Sequence, residues 1–171
     1  MVHPNILRFE EGIKENPREH VGIFSADGRK LLEKESIIVN LQEICSFDEN
    51  EFVQMKNQIL TYNHPTGHLF TAEDITLAVD AQLVEIRIVT HKGSFSLKRS
   101  LNRWPESATI LMAFEEVKMS WDYIPSHEQD FRDAAPREGL DYSDHDWYIQ
   151  HLIWKVVAEQ LGMHYEKTAY E

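Results

Sequence analysis

Apolar residues recur along the chain at two spacings, one typical of helices and the other of strands. Runs with apolar residues three and four positions apart predict helices, which begin near positions 5, 48, 71, 107 and 144. Short apolar or alternating runs between turn-forming residues predict strands, at 20–24, 30–33, 37–39, 59–62, 84–90, 94–98 and 163–166. The pattern therefore predicts an α+β fold, with an α/β core at 1–101 and a helical C-terminal extension at 102–171.

Turn and capping signals mark the ends of several of these elements. Asp27-Gly28 predicts a tight turn between the first two strands. Asp48 and Glu51 have the spacing of a capping box at the start of the second helix, and Gly162 is expected to end the last helix. The polar stretch 126–143 contains a proline and a glycine, so we expect a long loop there, with one helical turn at most.

Charged residues between the apolar positions are expected to face solvent. The solvated face of the first helix is predicted to consist of Glu10, Glu11 and Glu15. An exposed strand edge is predicted to hold a mild concentration of positive charge at Arg87, Lys98, Arg99 and Arg103.

Composition narrows the classes of function. The chain has 171 residues, 42% of them hydrophobic, and a net charge of -12, so one well-packed domain is expected and a nucleic-acid partner is not. No apolar run approaches the length of a membrane span, and the N-terminal residues do not resemble a signal peptide. We therefore expect a cytoplasmic protein without membrane association.

The single cysteine of the chain, Cys45, is expected to be a small buried apolar residue, with a nucleophilic thiol as the alternative.

The densest chemistry lies at 61–74. His64 precedes Pro65, which favours extended geometry for the histidine, and a turn then leads to a helix that begins at Thr71. Thr71 and Asp74 have the spacing of a capping box, which needs no catalytic role. The same turn brings Asp74 back toward His64, and an imidazole with a carboxylate can bind a divalent metal such as zinc. Both interpretations are open at this point.

Three segments together resemble the motifs of JAMM/MPN metalloproteases, including the RadC-type branch. The segments are Glu19-His20-Val21-Gly22, Asn63-His64-Pro65-Thr66-Gly67 and Thr71-Ala72-Glu73-Asp74. The resemblance covers roughly residues 10 to 100 and implies a cytidine-deaminase-like mixed sheet flanked by helices. It implies His64 and Asp74 as zinc ligands, Glu19 as the general base that activates a zinc-bound water, and Thr71 as a hydrogen-bond donor to the oxyanion.

The chain departs from the family at Tyr62, which stands where the first metal-binding histidine would be. Catalytic zinc sites usually have three protein ligands, and a phenol is usually a donor rather than an anionic ligand. His68 and His20 are the candidates to supply the missing ligand.

The resemblance, with its departure at Tyr62, therefore implies a degenerate metal site in a non-catalytic or weakly active module that binds a protein or peptide. We expect the peptide to bind by strand addition near Tyr62. The alternatives are a metal-dependent peptidase or isopeptidase, and a phage- or mobile-element-associated protein in host conflict.

A second group of acids and histidines lies at Asp144-His145-Asp146 and His151. A second metal site is one interpretation of this group. Helix capping by the acids is the other, and it is the one we favour.

Overall fold

A computed structural model describes residues 2–39, 42–65, 67–100, 103–122 and 126–168. The α-helices in these ranges are α1 (Pro4–Ile13), α2 (Glu49–Gln54), α3 (Ala72–Asp80), α4 (Ser107–Asp122), α5 (Ser126–Glu138) and α6 (His145–Leu161), and a short 3-10 helix at Tyr142–Asp144 precedes α6. The strands are β1 (His20–Phe24), β2 (Lys30–Glu35), β3 (Ile37–Val39), β4 (Gln42–Ile44), β5 (Ile59–Asn63), β6 (Glu85–Thr90), β7 (Gly93–Lys98) and β8 (His164–Thr168). The α+β class is confirmed.

Six strands form one mixed sheet in the order β2-β1-β5-β6-β7-β8, and β3 pairs separately with β4. β5 and β6 run parallel and are joined through α3, as parallel strands require a long crossover. The other neighbours in the large sheet are antiparallel. The C-terminal segment contributes β8 to the edge of this sheet. The predicted boundary between residues 101 and 102 lies outside the described residues.

Helices cover both faces of the large sheet, and alternate residues of β5 show which helix covers which face. Leu60 and Tyr62 pack in the main apolar core with Ile75 of α3. Thr61 lies on the other face, where its hydroxyl donates to Oε1 of Glu10 in α1 at 2.8 Å. Because neighbouring strand residues point in opposite directions, α1 and α3 lie on opposite faces.

The face beneath α1 contains a buried ionic cluster. The side chains of Arg87 and Glu10 are 1% and 0% exposed, and Arg87 donates to both carboxylate oxygens of Glu10, at 2.5 and 3.1 Å. Arg87 also donates to Glu85 at 2.6 Å and to the Ser94 hydroxyl at 3.0 Å. The predictions of a solvated Glu10 and of an exposed strand edge at Arg87 are therefore wrong. β6 lies inside the sheet and α1 covers this face, so the alternating charges of β6 point into a polar interior.

The stretch 126–143 is not a long loop, because α5 occupies its first thirteen residues. Phe131 and Ala134 of this helix are buried. Pro136 lies near the C-terminal end of α5, and Gly139 follows the helix with a φ of +64°. The proline and glycine therefore mark the end of a helix, where a left-handed residue is common. The prediction that Gly162 ends the last helix is confirmed: it is the C-cap of α6, in the left-handed region with a φ of 67°.

His151 of α6 lies among aromatic side chains next to β7 and β8. Its ring stacks on Trp147 with the centroids 6.0 Å apart, and its Nδ1 lies 2.9 Å from the Tyr165 hydroxyl. Burial, with a smaller contribution from Lys167, lowers the pKa of His151 to about 4. The imidazole is therefore neutral in the folded protein at neutral pH.

We expect His151 to make the protein less stable as the pH falls from 6.5 toward 4. The unfolded chain takes up the proton near pH 6.5 while the folded state resists it, so the stabilisation is complete above that pH and is lost below it. At pH 4.5 the loss should be about 2 kcal/mol. Urea unfolding at pH 7 and 4.5 measures it, with His151→Phe as the control. An equal pH dependence in both proteins would contradict the assignment.

Candidate functional site

The functional residues predicted from the sequence meet at one end of the large sheet. β1 and β5 are antiparallel with Val21 opposite Tyr62, so the start of β1 lies beside the end of β5. Glu19 immediately precedes β1 and His64 immediately follows β5. The chain then turns into α3, which begins after Thr71.

A cleft of about 360 Å³ is lined by all four predicted site residues, Glu19, His64, Thr71 and Asp74. Its other lining residues are Tyr62, Glu73, Val21, Cys45, Phe47, Leu60 and Leu77. The structure thus brings the predicted residues together across β1, β5 and the start of α3. Thr66, within the second motif, lies outside the described residues.

Sequence reasoning gave no role in this site to Cys45, Phe47 or Glu73, although Glu73 lies within the third motif. Cys45 and Phe47 reach the cleft from the segment between β4 and α2, and Glu73 reaches it from the first turn of α3. Cys45 was expected to be a small buried apolar residue, and it is partly buried. The segment around Cys45 and Phe47 has no periodic pattern, and nothing in it indicates which element it packs against.

Tyr62 occupies the inner part of the cleft. It is only 4% exposed, and its hydroxyl makes no hydrogen bond of standard geometry with a described residue. Burial raises the pKa of Tyr62 well above its usual range, and the nearby carboxylates of Asp74 and Glu19 raise it further. Asp74 is therefore close enough to act on the phenol electrostatically. Tyr62 remains a neutral phenol, which is a poor metal ligand.

Thr71 and Asp74 bind each other in a capping box at the start of α3. The Thr71 amide and hydroxyl both donate to Oδ2 of Asp74, at 2.7 and 2.8 Å. The Asp74 amide donates back to the Thr71 hydroxyl oxygen at 3.3 Å. The capping interpretation is confirmed. Because the hydroxyl proton of Thr71 is directed at Asp74, it is not available in this arrangement to bind an oxyanion.

Neither candidate for the missing zinc ligand lines the cleft. Both ring nitrogens of His20 have other partners, with Nε2 at 2.8 Å from Glu33 and Nδ1 at 3.2 Å from Asn16. The His68 ring is exposed, with its centroid 6.2 Å from that of His64. Among the described residues, no three His, Cys, Asp or Glu side chains are grouped to hold a metal. The side chains described here do not fit the family's three-ligand zinc centre.

The residues of the second proposed metal site, Asp144, His145, Asp146 and His151, do not come together around one point in the structure. Asp144 is buried and pairs with the Lys92 ammonium at 2.6 Å. Asp146 points into solvent with 96% of its side chain exposed, and His151 lies in its aromatic surroundings. Asp144 stands at the N-cap position of α6, but its side chain makes no cap hydrogen bond to that helix. Its carboxylate instead accepts from the Asp141 amide at 2.9 Å, in the capping box of the short 3-10 helix that leads into α6.

The cleft is electrostatically negative. Glu19, Glu73 and Asp74 contribute carboxylates to its wall, and no lysine or arginine is among the described lining residues. A concave surface lined by one sign of charge attracts the opposite sign. The cleft is therefore suited to a cation or to an N–H donor.

Comparisons of the chain with protein-family models, with curated proteins and with solved structures found no match. No helix within the described ranges is long and apolar enough to cross a membrane. The class that the fold and the cleft define is an α+β domain with an acidic cleft at the end of a mixed sheet.

Proposed function

We propose that the chain is a JAMM/MPN-like domain with a degenerate metal site, and that it works as a non-catalytic protein-binding module. Tyr62 carries the proposal. It is a buried, neutral phenol at the position where the resemblance implies a metal ligand. The rest of the cleft gathers Glu19, His64, Thr71 and Asp74, which the resemblance also implies. With tyrosine at position 62, only His64 and Asp74 remain as implied protein ligands, whereas a catalytic zinc site usually has three.

The acidic wall of the cleft favours a partner segment that presents a lysine side chain. Glu19, Glu73 and Asp74 supply oxygens for an ammonium group, and a charge-assisted hydrogen bond is stronger than a neutral one. The segment cannot add as a strand beside Tyr62, because β5 is already paired with β1 and β6. It would contact side chains of the cleft instead, which corrects the expectation of strand addition there.

A metal-dependent peptidase or isopeptidase is the alternative, and the shared position of Glu19, His64 and Asp74 in one cleft favours it. This function would need a further ligand from outside the described residues. The role in phage or mobile-element conflict stays a prediction from sequence alone.

Binding of short peptides that contain lysine or acetyllysine tests the proposal. We expect the lysine peptide to shift the NMR signals of the His64 ring, because the ammonium enters the acidic cleft. The acetylated peptide, which lacks the charge, should not. Glu73→Gln should weaken binding about tenfold, the effect of losing one charge-assisted hydrogen bond.

The control variant is Glu115→Gln, which alters an exposed glutamate of α4 outside the cleft. Equal binding of both peptides would contradict the proposal. Peptide cleavage that requires added zinc and is lost in His64→Ala would favour the peptidase instead.

A further inference from the structure

A second cleft lies away from the site described above. Its volume is about 590 Å³, and it is lined by Asn5, Arg8, Phe9, Phe24, Asp27, Gly28, Arg29 and Lys30. Phe24 is the last residue of β1, whereas Glu19 precedes the first, so the two clefts lie at opposite ends of this strand. They share no lining residue.

The start of α1 and the β1–β2 turn are held together at this second cleft. The Asn5 side-chain amide donates to the Gly28 carbonyl at 3.1 Å, and His3 Nδ1 accepts from the Asn5 amide at 3.2 Å as the cap of α1. Gly28 has a φ of +76°, and a Cβ there would lie 2.0 Å from the His3 ring. Only glycine fits this contact, so the two walls of the cleft are fixed relative to each other.

Positive charge is concentrated here in a chain of net charge -12. Arg8, Arg29 and Lys30 all line the cleft. Lys30 forms an ion pair with Glu33 outside the lining. Within the described part of the chain, no ion pair or side-chain hydrogen bond involves the guanidinium of Arg8 or of Arg29.

Asp27 is the single acid among the described residues that line this cleft. The Ser25 hydroxyl donates to its carboxylate, and this bond lowers the pKa of Asp27, with Arg29 as a weaker contributor. The lining therefore holds three basic side chains and one acidic one, which leaves a net positive charge.

We propose that this cleft binds a phosphate monoester. Arginine forks match phosphate oxygens bidentately, and the roughly double negative charge of a phosphate monoester suits two guanidiniums better than a single carboxylate does. The positive end of α1, where Asn5 lies, adds to the same potential. The partly exposed ring of Phe9, which packs against the buried ring of Phe24, provides an apolar wall for the organic part of the ligand.

Calorimetric titration of the full chain with phenyl phosphate at low ionic strength tests the site. We expect saturable binding that is weakened about tenfold in Arg8→Gln and in Arg29→Gln, the effect of losing a charge-assisted hydrogen bond. Because neither guanidinium has a side-chain partner among the described residues, both variants should unfold at the wild-type urea concentration.

Arg132→Gln is the matched control, since Arg132 is an exposed arginine on α5 outside the cleft. It should bind phenyl phosphate as the wild type does. Absence of binding at millimolar phenyl phosphate would overturn the proposal, as would unchanged affinity in both cleft variants. Equal affinity for inorganic phosphate would overturn the role given to the phenylalanine rings.

Discussion

Replacement of Arg87 by leucine is expected to lower the free energy of unfolding by about 3–5 kcal/mol, because it leaves buried carboxylates without their cation. Glu10 is fully buried and receives two hydrogen bonds from Arg87. Glu85 would retain Lys98, whose ammonium lies 3.2 Å from its carboxylate. Glu10 is therefore the buried carboxylate that the substitution leaves without a cationic partner.

The ionic state of the cluster explains why the loss is so large. Burial alone would lower the pKa of Arg87, but hydrogen bonds and charges from Glu10 and Glu85 raise it above its ordinary value. The guanidinium thus stays charged in the interior. Removing it leaves Glu10 with the Thr61 hydroxyl as its remaining donor in this cluster, and one neutral hydrogen bond does not compensate a buried charge.

Urea unfolding of a double-mutant cycle separates this effect from simple loss of volume. Glu10→Gln should destabilise the wild type but stabilise Arg87→Leu, since in that variant it removes the stranded charge. Arg132→Leu, at an exposed ion pair on α5, should change stability by less than about 0.5 kcal/mol. Additive effects of the two cluster substitutions would show that Glu10 and Arg87 are not coupled.

The cluster also shows where sequence reasoning reached its limit. The alternation of charged and apolar residues in β6 correctly predicts a strand, and its apolar residues Ile86 and Ile88 lie in the core. The alternation does not show whether the other face of β6, which holds Glu85 and Arg87, is exposed to water or packs against another buried charge. The partner, Glu10, is distant in sequence and belongs to α1, so only the packing of that helix on the sheet decides the environment of Arg87.

The candidate site was more predictable because its residues carry local signals. The capping box of Thr71 and Asp74 is encoded within four residues, and the strand before His64 is short and apolar. Their meeting with Glu19 follows from the antiparallel pairing of β1 and β5. The neighbours Cys45 and Phe47 come from an aperiodic segment, whose position depends on tertiary packing alone.

Tyr62→His is expected to raise the affinity of the chain for zinc on the order of a hundredfold or more, because it supplies the third protein ligand that zinc sites ordinarily use. Residues two apart on an extended chain point to the same side, and the rings of Tyr62 and His64 already lie with their centroids 6.1 Å apart. Asp74 is close enough to both positions to line the same cleft. A histidine at 62 would therefore face the other two ligands.

Competition with a chromophoric chelator measures the affinity, and elemental analysis of chain purified without chelator measures occupancy. Tyr62→Phe retains an aromatic ring of similar size without adding a ligand, so it should bind zinc as weakly as the wild type. Asp74→Asn in the Tyr62→His background can still accept hydrogen bonds from Thr71 but loses the anionic ligand, so the gained affinity should disappear. If Tyr62→His folds and gains no affinity for zinc, the cleft lacks the geometry that the family resemblance implies.

If the wild-type chain itself holds one equivalent of zinc, the site is not degenerate. Peptidase activity then becomes the better explanation for Glu19 and His64 in the cleft.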